Sequence, residues 1–306
     1  MELQKIDNEL LTAVADLHSV PQGAYNLRKD GKSVGRATTS NIDIATNDNG
    51  DGLIIKIKDN TINESVHIPV IITQSGLTES VKNDFYIGEN CSVTIVAGCG
   101  IHNSGDKLSS HSGIHKFVIG KNSKVKYMEK HLGLGKLLKT EMHPETIIEL
   151  GENASFDMDT TQLGGITKSV RKTSLVAHKN SSININEKIL TEDKQIAETY
   201  FVADLKGENS SAHIVSRAVA KGDSKQTFKS IVNGENKCFG HTECDCIVMD
   251  NAKVFAIPEV NALSTEASLI HEAAIGKIAG EQIIKLMTLG LTEEEAQNQI
   301  IKGFLR

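Results

Sequence analysis

Tryptophan is absent from these 306 residues, aromatic side chains supply only 4% of them, and proline occurs four times. A core with so few rings must be filled by Ile, Val, Leu and Ala, which suit pleated surfaces. No run of about 18 apolar residues occurs, which excludes a membrane-spanning helix. The opening stretch, MELQKIDNELLTAVADLHSV, lacks the basic-then-apolar order of an export signal. Lys and Arg number 33 against 39 Asp and Glu, the formal net charge is -6, and no basic cluster stands out, so nothing here would neutralise a nucleic-acid backbone. The expectation is a soluble, cytoplasmic chain with neither membrane nor nucleic acid as partner. Cysteine is sparse and odd in number: Cys91, Cys99, Cys238, Cys244 and Cys246. That argues against a disulfide framework and leaves free thiols or metal ligands.

What the sequence does have is a repeat. Gly-x-Asn followed by a small residue begins at Gly88, Gly120, Gly151 and Gly207, with looser copies at His178, Gly234 and Met249. The first six copies lie 32, 31, 27, 29 and 27 residues apart, and the seventh follows after 15. After each Asn the apolar residues alternate: Val93 and Ile95, Val125 and Tyr127, Phe156 and Met158, Ile183 and Ile185, Ala212 and Ile214, then Val254 and Ala256. Period two marks a half-buried strand, and the Gly-x-Asn element supplies the turn that starts it. Stacked copies pair each strand with its counterpart in the next coil. The pattern therefore predicts an all-β core, a right-handed parallel β-helix, over residues 31–278. A β-sandwich also alternates, but it has no reason to repeat one turn signature before successive strands.

The ends differ from the middle. Ile6, Leu10, Val14 and Leu17 recur at helical spacing before Pro21, which places a short amphipathic helix within residues 1–30. Residues 279–306 read as a C-terminal helical segment. Gly280 to Leu289 form one helix closed by Gly290, and Thr292 with Glu295 forms a capping box for another. Ala296, Ile300 and Phe304 share a face of this last helix, which either packs on the end of the coil or docks a partner.

The segment HTECDCIVMDNAKVFAIPEVNALSTEASLIHEAAIGKIAGEQIIKLMTLGLTEEEAQNQIIKGFLR, from His241 onward, closely resembles the C-terminal core of the SufB and SufD proteins. Its Cys-Asp strand, its Pro-x-hydrophobic strand, its His-Glu-Ala run followed by Gly-Lys-Ile, and its Gly-Leu-Thr-Glu-Glu-Glu-Ala helix come in that family's order. Residues 1 to about 87 carry no matching motif. The resemblance implies a scaffold for iron–sulfur cluster assembly in a SUF-type system, not itself a conventional enzyme, carrying its cluster transiently. It also implies a SufC-like ABC ATPase bound at the C-terminal helices, where Ile283, Leu286, Met287, Ala296, Ile300 and Phe304 are the docking candidates. Two protomers, as a homodimer or a SufB/SufD-like heterodimer, would pair near the last strands. The family's assembly thiol matches Cys244 and its nearby histidine matches His271, with Glu272 beside it. Flavin, suggested for some relatives, has no readable motif here.

The residues themselves fit such chemistry. Iron–sulfur clusters take thiolates, and imidazole can replace thiolate on iron. In a strand Cys244 and Cys246 point to one face, with Glu243 and Asp245 on the other. A Cys-x-Cys pair can equally be two small core residues, and the family does not require a thiol at Cys246. Cys238, in the loop just before, is a candidate for sulfur relay. His271 shares a face with Leu269 and Ala273, where a lone histidine is often a plain core residue; Glu272 is either the carboxylate that orients a ligand or a solvated charge.

Cys99, His102, His111 and His115 form a second group, one thiol and three imidazoles in a stretch threaded with Gly and Ser, and so a possible metal site, although the spacing fits no standard zinc motif. The run from His131 to Lys136, HLGLGK, lacks the gap and the Ser/Thr of a phosphate-binding loop, so ATP would be handled by another chain. The competing functions are a β-helical carbohydrate-active enzyme, which would need a lined cleft of paired carboxylates, and an ATPase-docking module without cluster chemistry.

Overall fold

The computed structural model describes residues 4–18, 21, 23–135, 139–162 and 164–305; Lys136 of the glycine-rich run lies outside them. The chain opens with α1 (Lys5–Ala15), β1 (Ala24–Lys29), β2 (Lys32–Ala37), β3 (Ile42–Thr46), β4 (Gly52–Ile57), β5 (Ile62–Ile72) and β6 (Thr78–Ile87). The middle holds β7 (Ser92–His102), β8 (Ser109–Ile119), β9 (Lys124–Leu134), β10 (Thr140–Met142), β11 (Glu145–Leu150), β12 (Ser155–Gln162), β13 (Lys168–Ala177), β14 (Ser182–Thr191) and β15 (Ile196–Leu205). It closes with β16 (Ser210–Ala220), β17 (Lys225–Gly234), β18 (Cys238–Val248), β19 (Lys253–Ala262), β20 (Ala267–Gly276), α2 (Gly280–Met287) and α3 (Glu293–Phe304).

From β5 onward the chain alternates between two parallel sheets, so each circuit adds one rung to both. One sheet runs β2-β1-β5-β7-β9-β12-β14-β16-β18-β20, and the other runs β19-β17-β15-β13-β10-β8-β6-β4-β3, with β11 also bridging β8 and β13. This is the parallel β-helix that the repeat implies. Pro144, between β10 and β11, has no N–H to give a ladder and divides what would otherwise be one strand. The coil starts with antiparallel pairs, β1 with β2 and β3 with β4.

The repeated Asn residues explain the stacking. Asn90, Asn122, Asn153, Asn180 and Asn209 all adopt left-handed backbone, φ 54 to 59, a conformation Asn tolerates better than most residues. Their side chains form a ladder up the corner: each amide donates to the carbonyl oxygen of the Asn one coil earlier, at 3.0, 3.2, 3.0 and 3.3 Å. At the next coil the register slips by one. Asn209 N–H donates to Lys237 O, and Asn236 turns to accept from the Lys237 N–H. The seventh copy belongs to the other corner: Asp250 there is left-handed, and the Asn251 N–H donates to Gly222 O. Its spacing of 15 is thus half a coil.

The inward residues that follow each ladder Asn are those the alternation marks, and all ten from Val93 to Ile214 are buried. Phe85, Phe117 and Phe156 pile up among them, the first pair stacked at 4.5 Å. Helix α1 lies on the outer face of the first sheet. Leu10 and Val14 reach the backbone of β7 because Gly98 and Gly100 carry no side chain there: a Cβ at Gly98 would stand 2.4 Å from Val14 O, and one at Gly100 2.9 Å from Leu10 Cδ2. Asp7, fully buried on α1, pairs with Lys29 Nζ at 2.5 Å.

At the other end nothing equivalent closes the coil among the described residues. β19 and β20 remain exposed or half-exposed along most of their length. Helices α2 and α3 pack on each other, with Ala296 and Ile301 buried, while α2 has no buried residue. The Thr292 capping box forms as the sequence indicates. Packing of the Ala296 face onto the coil end is not what is found; Ala296 is enclosed by the helical hairpin itself.

Candidate functional site

Because the ladders keep strict register, inward residues of the first sheet form ranks that run the length of the coil. One rank reads Ile95, Tyr127, Met158, Ile185, Ile214, Thr242, His271. The next, two residues further along each strand, reads Ala97, Glu129, Thr160, Glu187, Ser216, Cys244, Ala273. A third reads Cys99, His131, Gln162, Ile189, Ala218, Cys246, Ile275. The interior is thus apolar beside the Asn corner and polar further along.

Cys244 and Cys246 both point inward and are buried, 1% and 3% exposed. Cys238 also faces inward, as the first residue of β18 rather than part of a loop. His271 stands on the neighbouring strand opposite Thr242, whose hydroxyl lies 2.7 Å from its Nδ1. Cys244 and His271 are therefore diagonal neighbours on one face of adjacent strands. Glu272 is not with them. It faces outward beside Glu243, and its carboxylate lies 3.6 Å from His241 Nε2.

Burial, with Glu187 and Asp245 adding to it, pushes the Cys244 thiol up to about 12; burial and then Cys244 do the same to Cys246. Burial, with His241 nearby, lowers His271, which keeps its imidazole neutral. The gap beside Cys244, bordered by Glu187, Ser216, Phe228 and Val254, is about 10 Å³, the lower limit for one water molecule.

The polar interior contains groups that sequence reasoning did not mark. Arg171 on β13 donates to Glu129 at 2.6 Å, lies 3.2 Å from His131 Nδ1, and stands 3.7 Å from Glu187. Burial alone would raise the Glu129 carboxyl, but Arg171, His131 and His115 together outweigh it and hold it well below the usual range. Glu187 is raised by burial despite Arg171, and accepts from Thr199 and Ser216 at 3.0 and 2.7 Å. Toward the first coils, Arg28 pairs with Glu79 at 2.7 Å, and Glu79 lies 3.7 Å from His111. Parity was the available signal: Glu129, His131 and Glu187 fall at the same alternating positions as Val125 and Ile183, only further along.

The second sequence group divides. Cys99, His111 and His115 border one internal gap of about 10 Å³ together with Glu129 and His131. His102 has the opposite parity to Cys99 and faces away from it. His115 Nδ1 is engaged by the Tyr127 hydroxyl at 2.7 Å and its Nε2 lies 3.3 Å from Asn83 Nδ2; burial lowers its imidazole to about 4. Among the described residues this group does not converge as metal ligands do. The set that does is His241, Glu243 and Glu272.

A stacked-coil protein with a buried thiol and an imidazole on adjacent rungs of an uncovered last turn is a β-solenoid. Comparison with known families places it: the model described as SUF system FeS cluster assembly, SufBD core domain, matches residues 71–304, and the chain belongs to that family. The match reaches well upstream of the segment whose motifs are legible by eye. An iron–sulfur cluster assembly SufBD family protein of Methanothermobacter thermautotrophicus is 30% identical over 242 residues, which cover 77% of this chain and 57% of that protein. One of Archaeoglobus fulgidus is 30% identical over 228 residues, 74% of this chain and 60% of its own. The SufB protein of Bacillus subtilis is 39% identical over 101 residues, 32% of this chain and 22% of its own. The chain spans less than two thirds of the length of each of these three relatives. No described helix is long and apolar enough to cross a membrane.

Proposed function

We propose that this chain is a scaffold on which iron and sulfide are joined into a transient cluster, with the terminal coil as the platform. The observation that carries this is the placement of Cys244 and His271 on one face of adjacent strands at the uncovered end of the coil. Thiolate and neutral imidazole are both iron ligands in such clusters. The gap beside Cys244 admits at most about one water, so a cluster forms there only when the terminal coil parts or a second protomer shares it. The unpaired edges of β19 and β20 offer such a protomer hydrogen-bonding partners, whether it is a second copy or a SufB- or SufD-like relative.

ATP hydrolysis belongs, in this reading, to a separate SufC-like ABC ATPase. It would dock on the α2–α3 hairpin, where Ile283 and Leu286 are half-buried and Ile284, Met287 and Leu289 are exposed. The chain is then not a conventional enzyme. Its five free cysteines fit a reducing cytoplasm.

Anaerobic reconstitution with ferrous iron and sulfide, followed by absorption and Mössbauer spectra, tests the proposal. Wild type should form a cluster that Cys244→Ala and His271→Ala lose. A wild-type chain that forms none, yet captures an ABC ATPase, would leave only the docking role.

A further inference from the structure

The geometry points to a site for one exchangeable divalent transition-metal ion on the outer face of the β18–β20 ladder, built from His241, Glu243 and Glu272. It stands on the opposite side of the sheet from Cys244, Cys246 and His271, and it does not depend on the cluster reading.

The site follows from register. His241 and Glu243 are two residues apart on β18 and leave the same face, and Glu272 on β20 is the rung partner of Glu243. Their ligand atoms all lie within 4.8 Å of one another. His241 Nε2 is shielded from solvent, has no hydrogen-bond partner, and faces the Glu272 carboxylate at 3.6 Å. A shielded nitrogen without a partner is costly unless something fills the position. The His213 ring stacks on His241, centroids 4.9 Å apart and 16° from parallel, which fixes the plane of the ring.

Charge and reach agree with this placement. Glu243 stands beside a second carboxylate, Asp245, on the same face of its own strand. Arg217, opposite Asp245 across the ladder, offsets one negative charge of the patch. Glu243 and Glu272 then balance one dication. Metal–ligand bonds of about 2.0–2.2 Å require the donor atoms to draw closer than they stand. The Glu272 side chain, 66% exposed, is free to swing inward.

One imidazole with two carboxylates is a borderline-to-hard donor set that suits Fe²⁺, Mn²⁺, Co²⁺ or Zn²⁺ and disfavours Cu⁺. Three protein ligands leave positions open to water, as in sites whose ion exchanges rather than in closed structural sites.

Cobalt is the probe. Titration of the reduced full chain with Co²⁺ under anaerobic conditions should give one ion per chain, visible ligand-field bands, and no thiolate-to-cobalt charge-transfer absorption. EDTA should strip the ion without shifting the thermal unfolding midpoint by more than the ordinary ligand effect. Glu272→Gln and His241→Asn should each weaken binding at least about ten-fold at an unchanged metal-free melting temperature, while Cys244→Ser and His271→Ala leave it as in wild type. Absence of stoichiometric binding, a thiolate charge-transfer band, or affinity that survives both Glu272→Gln and His241→Asn would overturn the assignment. If a variant's metal-free melting temperature falls, Glu243→Gln replaces it under the same criteria.

Discussion

Alkylation of the folded chain probes the setting of Cys244 directly. Its thiol is 1% exposed, and burial moves it from 9.0 to about 12, with Glu187 and Asp245 adding to the shift. At about 1.36 kcal/mol per unit, ionising it costs about 4 kcal/mol more than for an ordinary thiol, which lowers the reactive thiolate about a thousand-fold at neutral pH. Iodoacetamide labelling under anaerobic conditions, read by peptide mass spectrometry, should therefore modify Cys244 at least about a thousand times more slowly in the native chain than in concentrated guanidinium. The native rate should still be climbing at pH 9. Cys246, raised to about 12 by burial and by Cys244, should follow the same course. Native labelling within about ten-fold of the unfolded rate at pH 7 would show that the terminal coil opens readily or that the thiol is not enclosed, and would refute this account.

Two further predictions concern the coil. Arg171→Met should cost about 3–5 kcal/mol in urea denaturation at pH 7, because Glu129 and Glu187 lose their buried counter-charge. In wild type Glu129 titrates below its unfolded value of 4.5, so it contributes stability above that pH and loses it as acid protonates it. In the variant the Glu129 carboxyl rises without Arg171, so the penalty is present at neutral pH and fades as falling pH protonates that carboxyl on the way down to 4.5; the gap between the two proteins should narrow from pH 7 to pH 4, and a constant gap would contradict the pairing. Asn153→Ala should cost about 2–3 kcal/mol through its left-handed backbone and two ladder hydrogen bonds, whereas Asn153→Gly should cost about 1 kcal/mol; equal losses would show that backbone strain plays no part.

Much of the fold was legible because the β-helix repeats its own instructions. The Gly-x-Asn corner and the apolar pair at three and five residues beyond it recur often enough to fix strand direction and face. The sequence spacing failed at two places with physical causes: the copy at Met249 sits on the opposite corner, and the copy at Gly234 is displaced by one residue, which puts Phe239 outside and Cys238 inside. The Cys244 and Cys246 face followed from parity alone. Glu272 was grouped with His271 by sequence adjacency, yet neighbours in a strand point to opposite sides, and its spatial companions are His241 and Glu243. Arg171, from the opposite sheet, escaped notice because no local pattern tells a solvated arginine from one that faces Glu129 across the interior.

The asymmetry of the two ends has an evolutionary corollary. Antiparallel pairs finish one end and leave the other bare, and every rung between them is held mainly by its two neighbours. A whole circuit of about 28 residues can then be duplicated or lost mid-rod without disturbing either terminus. Such an event would move Glu129 and Cys244, now four rungs or about 19 Å apart, by one step of about 4.8 Å. Chain length in such a fold acts as a ruler graduated in single coils.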